Sequence, residues 1–178
     1  MIPHAAESPA PIELLVPVAA SAIVYCEANF GGIDGKTANG LVRHSQKYEV
    51  LAIIDSIKAG LDSGVVLDGR PNAIPICRDL DAALMHVGGI PEYFIFGMAP
   101  ASGQLSFQER AILLEAMRLG MSIINGLHEF LNDDPEFQAA CSRALVPVAA
   151  IDSMPVSSIS APYALHLIGV TWTDRCAV

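Results

Sequence analysis

The chain has 178 residues and a mass of 18.8 kDa, enough for one ordinary domain and too little for two full ones. Hydrophobic residues make up 52%, charged residues 16%, and the mean hydropathy is +0.44, which excludes disorder for the bulk of the chain. Nineteen acids against ten Lys and Arg give a net charge of -9, which repels phosphate backbones and anionic membrane surfaces and argues against both as partners.

Residues 1–20 carry Pro3, Pro9, Pro11 and Pro17 and read as an irregular lead-in, because proline breaks any continuous helix there. The uncharged run from Leu14 to Cys26 falls short of the roughly 20 residues a membrane span needs. No basic region precedes it, since the first Lys or Arg is Lys36, so a secretory leader is not expected. Cys26, Cys77, Cys141 and Cys176 stand far apart without a C-x-x-C pair and read as reduced thiols of a cytoplasmic protein, with no metal site.

From Ser21 the chain alternates. Ser21–Ala28 is an apolar run ending in glycines, a strand followed by a turn. Thr37–Ser45 places Ala38, Leu41, Val42 and Ser45 on one helical face. Tyr48–Asp55 is a near-continuous apolar strand of the kind covered on both faces of a parallel sheet. Residues 60–75, rich in Gly, Asp and Pro, read as a loop, with Ile74–Cys77 a short strand. Asp79 caps a helix with inner face Leu80, Ala83 and Leu84, closed by Gly88 and Gly89. Glu92–Met98 is the next strand. Ser106 and Glu109 form an S-x-x-E capping box for a helix through Leu119, with Ile112, Leu113, Ala116 and Met117 inward and Gly120 as its stop. Met121–Asn125 is a strand. Asp133 or Asp134, then Pro135, opens a helix carrying Phe137, Ala140, Cys141 and Ala144 inward. Leu145–Ile151 reads as a last, edge strand because of Pro147. Residues 153–178 lose periodicity and read as a divergent tail.

Five alternations with short connections predict a Rossmann-like α/β domain over residues 21–152: a doubly wound, mostly parallel sheet with helices on both faces. Ligands in such folds bind outside the carboxyl ends of the strands, and four motifs fall there.

The first is FGGIDGKT, Phe30–Thr37, whose Gly31, Gly32 and Gly35 precede Lys36 and Thr37 at a helix start. Backbone N–H groups and one ammonium there suit a phosphate, although neither the P-loop nor the dinucleotide glycine spacing is met. A tight strand-to-helix turn with a solvated Lys36 explains the same residues. The second is Asp55, placed to accept from a ribose hydroxyl or, equally in kind, to cap the next segment. The third, Gly97–Gly103, contains Gly97, Ser102 and Gly103 among small residues and lets a ligand approach its backbone closely, or simply connects strand to helix. The fourth is Asn125–Glu129, where Asn125 is a candidate ligand contact. His128 and Glu129 are the candidate acid–base residues, His128 first because its ordinary pKa lies near neutrality. A lone His is also commonly structural.

The segments GKTANGLVRHSQKYEVLAIIDSIKAG, VLDGRPNAIPI, YFIFGMAPASGQLSFQERAILLEAMRLGM and INGLHEFLNDDPEF, spread over about residues 29–152, resemble the D-glutamate N-acetyltransferase-like family, formerly a domain of unknown function. The resemblance implies a Rossmann-like N-terminal domain joined to a P-loop-type C-terminal domain, and in some members acetyl transfer from acetyl-CoA to the amine of D-glutamate. It leaves open acetyl-CoA or a nucleotide as the cofactor. Where a P-loop is expected, the chain offers IGVTWTDRCAV. The resemblance therefore also leads to an expectation of a P-loop domain in trans or of self-association. Rival readings are a non-catalytic nucleotide- or CoA-binding module and a truncated gene product.

Overall fold

The computed structural model describes residues 19–127 and 131–143. The expected lead-in, His128, Glu129, the strand at 145–151 and the tail at 153–178 lie outside the described residues, apart from the last residues of the lead-in.

The elements follow in chain order as β1 (Ala20–Tyr25), α1 (Lys36–His44), β2 (Tyr48–Ile54), a 3-10 turn at Ser56–Lys58, α2 (Ser63–Asp68), β3 (Ile76–Cys77) and α3 (Leu80–Val87). Then come β4 (Tyr93–Phe96), α4 (Phe107–Arg118), β5 (Ser122–Asn125), a second 3-10 turn at Leu131–Asp133 and α5 (Pro135–Arg143). The five strands form one parallel sheet in the order β3-β2-β1-β4-β5. This is the expected doubly wound, Rossmann-like arrangement. Right-handed crossovers to the left of β1 and then to the right put α1 and α2 on one face and α3 and α4 on the other. The packing of α1 against α2 agrees with that division.

Burial from both sides explains the strand compositions. Ile23, Ile53, Phe94 and Ile123 are wholly buried at the centre of the sheet, and every residue of β5 is buried. Helix ends follow local chemistry. The Ser106 hydroxyl accepts from the Glu109 N–H (3.3 Å) while Glu109 Oε2 accepts from the Ser106 N–H (2.6 Å), completing the capping box read from S-x-x-E. Asp79 Oδ1 accepts from the Ala82 N–H (2.8 Å), and Gly88 closes α3 in the left-handed region. Arg110 reaches from α4 to Asp134 (2.7 Å) and Glu136 (3.1 Å) and lies over the Phe137 ring, joining α4 to the start of α5.

The segment 60–75 departs from the expected loop, because it contains α2. Asp62 Oδ1 accepts from the Gly64 and Val65 N–H groups and caps this six-residue helix. The same carboxylate also accepts from the N–H groups of Asn72 (3.0 Å) and Ala73 (2.8 Å), so a contact ten residues away stabilises a helix too short to stand on propensity.

These caps predict an acid limb of stability. The Ala82 N–H holds the Asp79 carboxyl below its usual range, opposed by burial and helped by Arg78; the Arg43 hydrogen bond does the same for Asp68. A group depressed in the folded state contributes fully above its unfolded pKa of about 3.9 and loses that contribution as pH falls through the folded value. Stability measured by urea melts is expected to fall as pH drops from about 5 to below 4, and Asp79→Ala is expected to flatten that limb. An unchanged limb in Asp79→Ala would show that the cap carries no linkage.

No helix among the described residues is long and apolar enough to cross a membrane.

Candidate functional site at the carboxyl edge of the sheet

The parallel registers align Tyr25 with Ile54 and Phe96, and Phe96 with Asn125. The residues that follow, Cys26, Asp55, Gly97 and Gly126, therefore leave the sheet at one edge. The order of the strands reverses between β1 and β4: the chain departs from β1 into α1 on one face and from β4 into α4 on the other. The crevice of an open α/β sheet opens at this switch point. Gly31, Gly32, Gly35, Lys36 and Thr37 line its β1 side, while Gly97, Ser102 and Gly103 follow β4.

The two loops are laced together. The Ala38 N–H donates to the Gly97 carbonyl (3.0 Å), the Ala99 N–H to the Asp34 carbonyl (2.9 Å), and the Asn29 side-chain amide reaches Met98 Sδ (3.4 Å). Two glycines make that approach possible. A Cβ on Gly97 would lie 2.6 Å from Val24 Cγ1 and 2.8 Å from the Ala38 Cβ, and one on Gly35 would lie 2.2 Å from the Asn29 carbonyl oxygen. Both serve close packing of helix, turn and strand, the role that falls to a glycine where backbone meets backbone.

Asp55 is fully buried. Its Oδ2 accepts from the Phe30 N–H (3.1 Å) and the Lys58 ammonium (3.3 Å), and its Oδ1 from the N–H groups of Ile57 (3.0 Å) and Lys58 (3.3 Å). Both oxygens are thus engaged in capping the 3-10 turn and anchoring the turn that follows β1. Of the two expectations for this residue, the geometry carries the cap. The fully buried Phe30 ring holds the same turn from within.

Several N–H donors of the turn are engaged within the fold. The Lys36 N–H donates to Ile33 (3.3 Å), the Ala38 N–H to Gly97, the Gly31 N–H to Asn39 Oδ1 (2.9 Å) and the Gly32 N–H to Asn29 (2.9 Å). Lys36 and Thr37 are exposed at the start of α1, and the Lys36 ammonium has no ion pair among the described residues. An ammonium and a hydroxyl at a helix start suit a phosphate group.

Ser102 is exposed and bonded locally, its hydroxyl donating to the Gln104 carbonyl (3.1 Å) and accepting from the Gln104 N–H. Asn125 is buried and its Oδ1 accepts from the Leu127 N–H (3.0 Å), fixing the turn after β5.

Three residues at this edge were not singled out by sequence pattern. Asn39 clamps the glycine turn from one helical turn away, accepting from Gly31 and donating to Gly32 (3.0 Å). Glu27 accepts from the Ser56 N–H (2.9 Å) and from its hydroxyl, tying the ends of β1 and β2. The Tyr25 ring stacks on Phe96, and burial, aided by Glu27 and Glu109, pushes its phenol up to about 12, so it stays neutral. Only an Asn-Gly pair inside a predicted helix hinted at Asn39. Burial, then the Asp55 charge, pushes the Cys26 thiol up to about 12, which removes it as a nucleophile. Among the described residues no group of three His, Cys, Asp or Glu stands together as a metal set.

Comparison with known proteins agrees with this geometry. Residues 56–151, more than half of the chain, match the family model described as "Domain of unknown function (DUF1611_N) Rossmann-like domain". The chain is similar to a DUF1611 family protein from Anabaena variabilis ATCC 29413 of known crystal structure, at 26% identity and a TM-score of 0.62. That likeness covers 77% of this chain and 38% of the relative, so the chain spans well under half of the relative's length. No curated protein matches. A parallel sheet with its order reversed beside β1, a turn laced across the reversal, and the family match together place the chain in the DUF1611 family, as its Rossmann-like N-terminal domain.

Proposed function

We propose that this chain is the cofactor-binding part of a D-glutamate N-acetyltransferase-like enzyme, receiving a phosphate-bearing ligand, CoA or a nucleotide, across the crevice between residues 30–37 and 97–103. The observation that carries the reading is the exposed Lys36 ammonium beside Thr37 at the start of α1, at the switch point of the sheet. Lys36 supplies the charge, Thr37 a donor pair, and the anchored turn keeps both in place without ordering on binding.

The acetyl acceptor rests on the family resemblance, which points to the amine of D-glutamate. His128 is the group proposed to take the amine proton, with Glu129 beside it in sequence. Turnover is proposed to require the rest of the family polypeptide. One observation favours a second reading, a non-catalytic binding module: Asp55, Cys26 and Glu27, the acid and thiol groups nearest the crevice floor, are engaged or too high in pKa to react.

Thermal shift with acetyl-CoA, CoA, NAD, NADP and ATP tests the reading, since a ligand at 100 times its Kd adds about 2.7 kcal/mol. The expected result is a rise selective for CoA species, weakened about tenfold in affinity by Lys36→Met, the usual scale for losing one charge-assisted contact. A rise with NAD or NADP alone points to a dinucleotide module. A flat response to all five in a protein that melts cooperatively overturns cofactor binding by this chain. Binding without acetylated product, alone or mixed with a separately expressed P-loop domain, supports the module.

A further inference from the structure

Scattered exposed apolar side chains are ordinary on protein surfaces, but their concentration on a rigid frame is not. Of the eight large apolar residues exposed among the described residues, four (Ile33, Ile57, Leu61 and Val65) fall on two adjoining segments at the carboxyl edge. Ile33 is 88% and Ile57 74% exposed.

The segments touch. A single buried carboxylate, Asp55, accepts from the N–H groups of both Phe30 and Ile57, so the turn bearing Ile33 and the turn bearing Ile57 lie side by side. Gly31 sits close enough to α2 that a Cβ there would lie 3.1 Å from Val66 Cγ1, next to Val65. Leu61 is held by the donation of the Ile76 N–H to its carbonyl (2.9 Å), and Asp62 then caps α2. The exposed charges beside this surface are Asp34 and Lys36, which follow Ile33, while the Lys58 ammonium turns to Asp55. Gly31, Gly32, Ser56, Ala59 and Gly60, all small and exposed, lie on the same two segments. A backbone frame that is already anchored loses little freedom on association, which favours a docking surface.

More than half of the solved relative's length lies outside the part that this chain matches. We propose that the rim of Ile33, Ile57, Leu61 and Val65 is the surface on which the remaining polypeptide of a DUF1611 protein docks, through an aliphatic face of its own. Docked there, it covers the β1 side of the crevice mouth. The inference rests on family membership and exposed area, and it stands apart from which ligand the crevice takes.

The test titrates the full 178-residue chain with the separately expressed remainder of the Anabaena relative, without any cofactor, following complex formation by calorimetry and light scattering. Wild type is expected to form a 1:1 complex. The double substitution Ile33→Asp, Ile57→Asp is expected to weaken it at least tenfold, while Ile90→Asp, beside the start of β4 at the opposite edge, leaves it unchanged. All three chains are expected to melt within a few degrees of one another, because each altered side chain is exposed. Absence of a complex, equal binding by the rim variant, or self-association of the wild-type chain that the rim variant abolishes would each overturn the proposal. The last result would name a second copy as the occupant. Because no cofactor is present, failure here leaves the CoA reading standing, and a flat thermal-shift response leaves this one standing.

Discussion

Replacing Asp55 with alanine is expected to destabilise the protein by about 3–5 kcal/mol, the usual cost of stripping a buried charge from partners that stay behind. The carboxylate is wholly buried and receives three backbone N–H groups together with the Lys58 ammonium. Its removal leaves the Phe30 N–H without an acceptor in the interior and frees the ends of the turns after β1 and β2 from one another. Urea denaturation at neutral pH measures the loss. Asp55→Asn is expected to be nearly as damaging, because its amide presents a donor where the site needs four lone-pair acceptors. A cost below about 1 kcal/mol for Asp55→Ala would show that the turns are held by other contacts. Under conditions where the variant remains folded, any response to CoA species is expected to weaken too, since Lys36 sits on the far end of the loosened turn.

Phe30→Ala is the second large effect, again about 3–5 kcal/mol, from loss of apolar burial together with the cavity left behind. Phe30 is among the largest wholly buried side chains, yet it lies in a turn, beyond the end of β1 at Tyr25. Its ring anchors from below the loop that Asp55 anchors by hydrogen bonds. The two substitutions act on one turn, so the double variant is expected to lose less than the sum of the single losses. Strict additivity in the same urea melts would mean that the ring and the carboxylate hold the turn independently.

Much of the architecture was legible residue by residue. β2 and β5 announce themselves because burial on both faces demands apolar runs, and Ser106 with Glu109 marks the start of α4 because a capping box is a local contact three residues long. Asp79 and Gly88 bound α3 for the same reason. α2 was not legible: six residues amid Gly, Asp and Pro show no period, and the groups that hold its first turn, Asn72 and Ala73, lie beyond its end. The strands are also shorter than their apolar runs. Ala20–Tyr25 stops before Cys26 and Tyr93–Phe96 before Gly97, because the ladder ends where the loops turn toward each other.

The candidate site divides in the same way. That Cys26, Asp55, Gly97 and Gly126 leave the sheet at one edge follows from strand order along the chain, since every parallel strand points its carboxyl end the same way. What each of them does there depends on partners distant in sequence. Asp55 meets Phe30 across 25 residues, and Gly97 meets Ala38 across about sixty, so neither role could be read from local spacing.

The sequence by itself determined the class of fold, the caps of α3 and α4 and the end of the sheet at which the candidate residues gather, because periodicity and capping are set within a few residues of each other. Only the tertiary structure decided that the order reverses between β1 and β4, that Asp55 anchors the turn, and that Ile33 and Ile57 share one exposed rim. Those depend on which surfaces are brought together when the sheet is wound, and a buried carboxylate or a glycine without room for a Cβ takes its meaning from neighbours that the chain supplies only after folding.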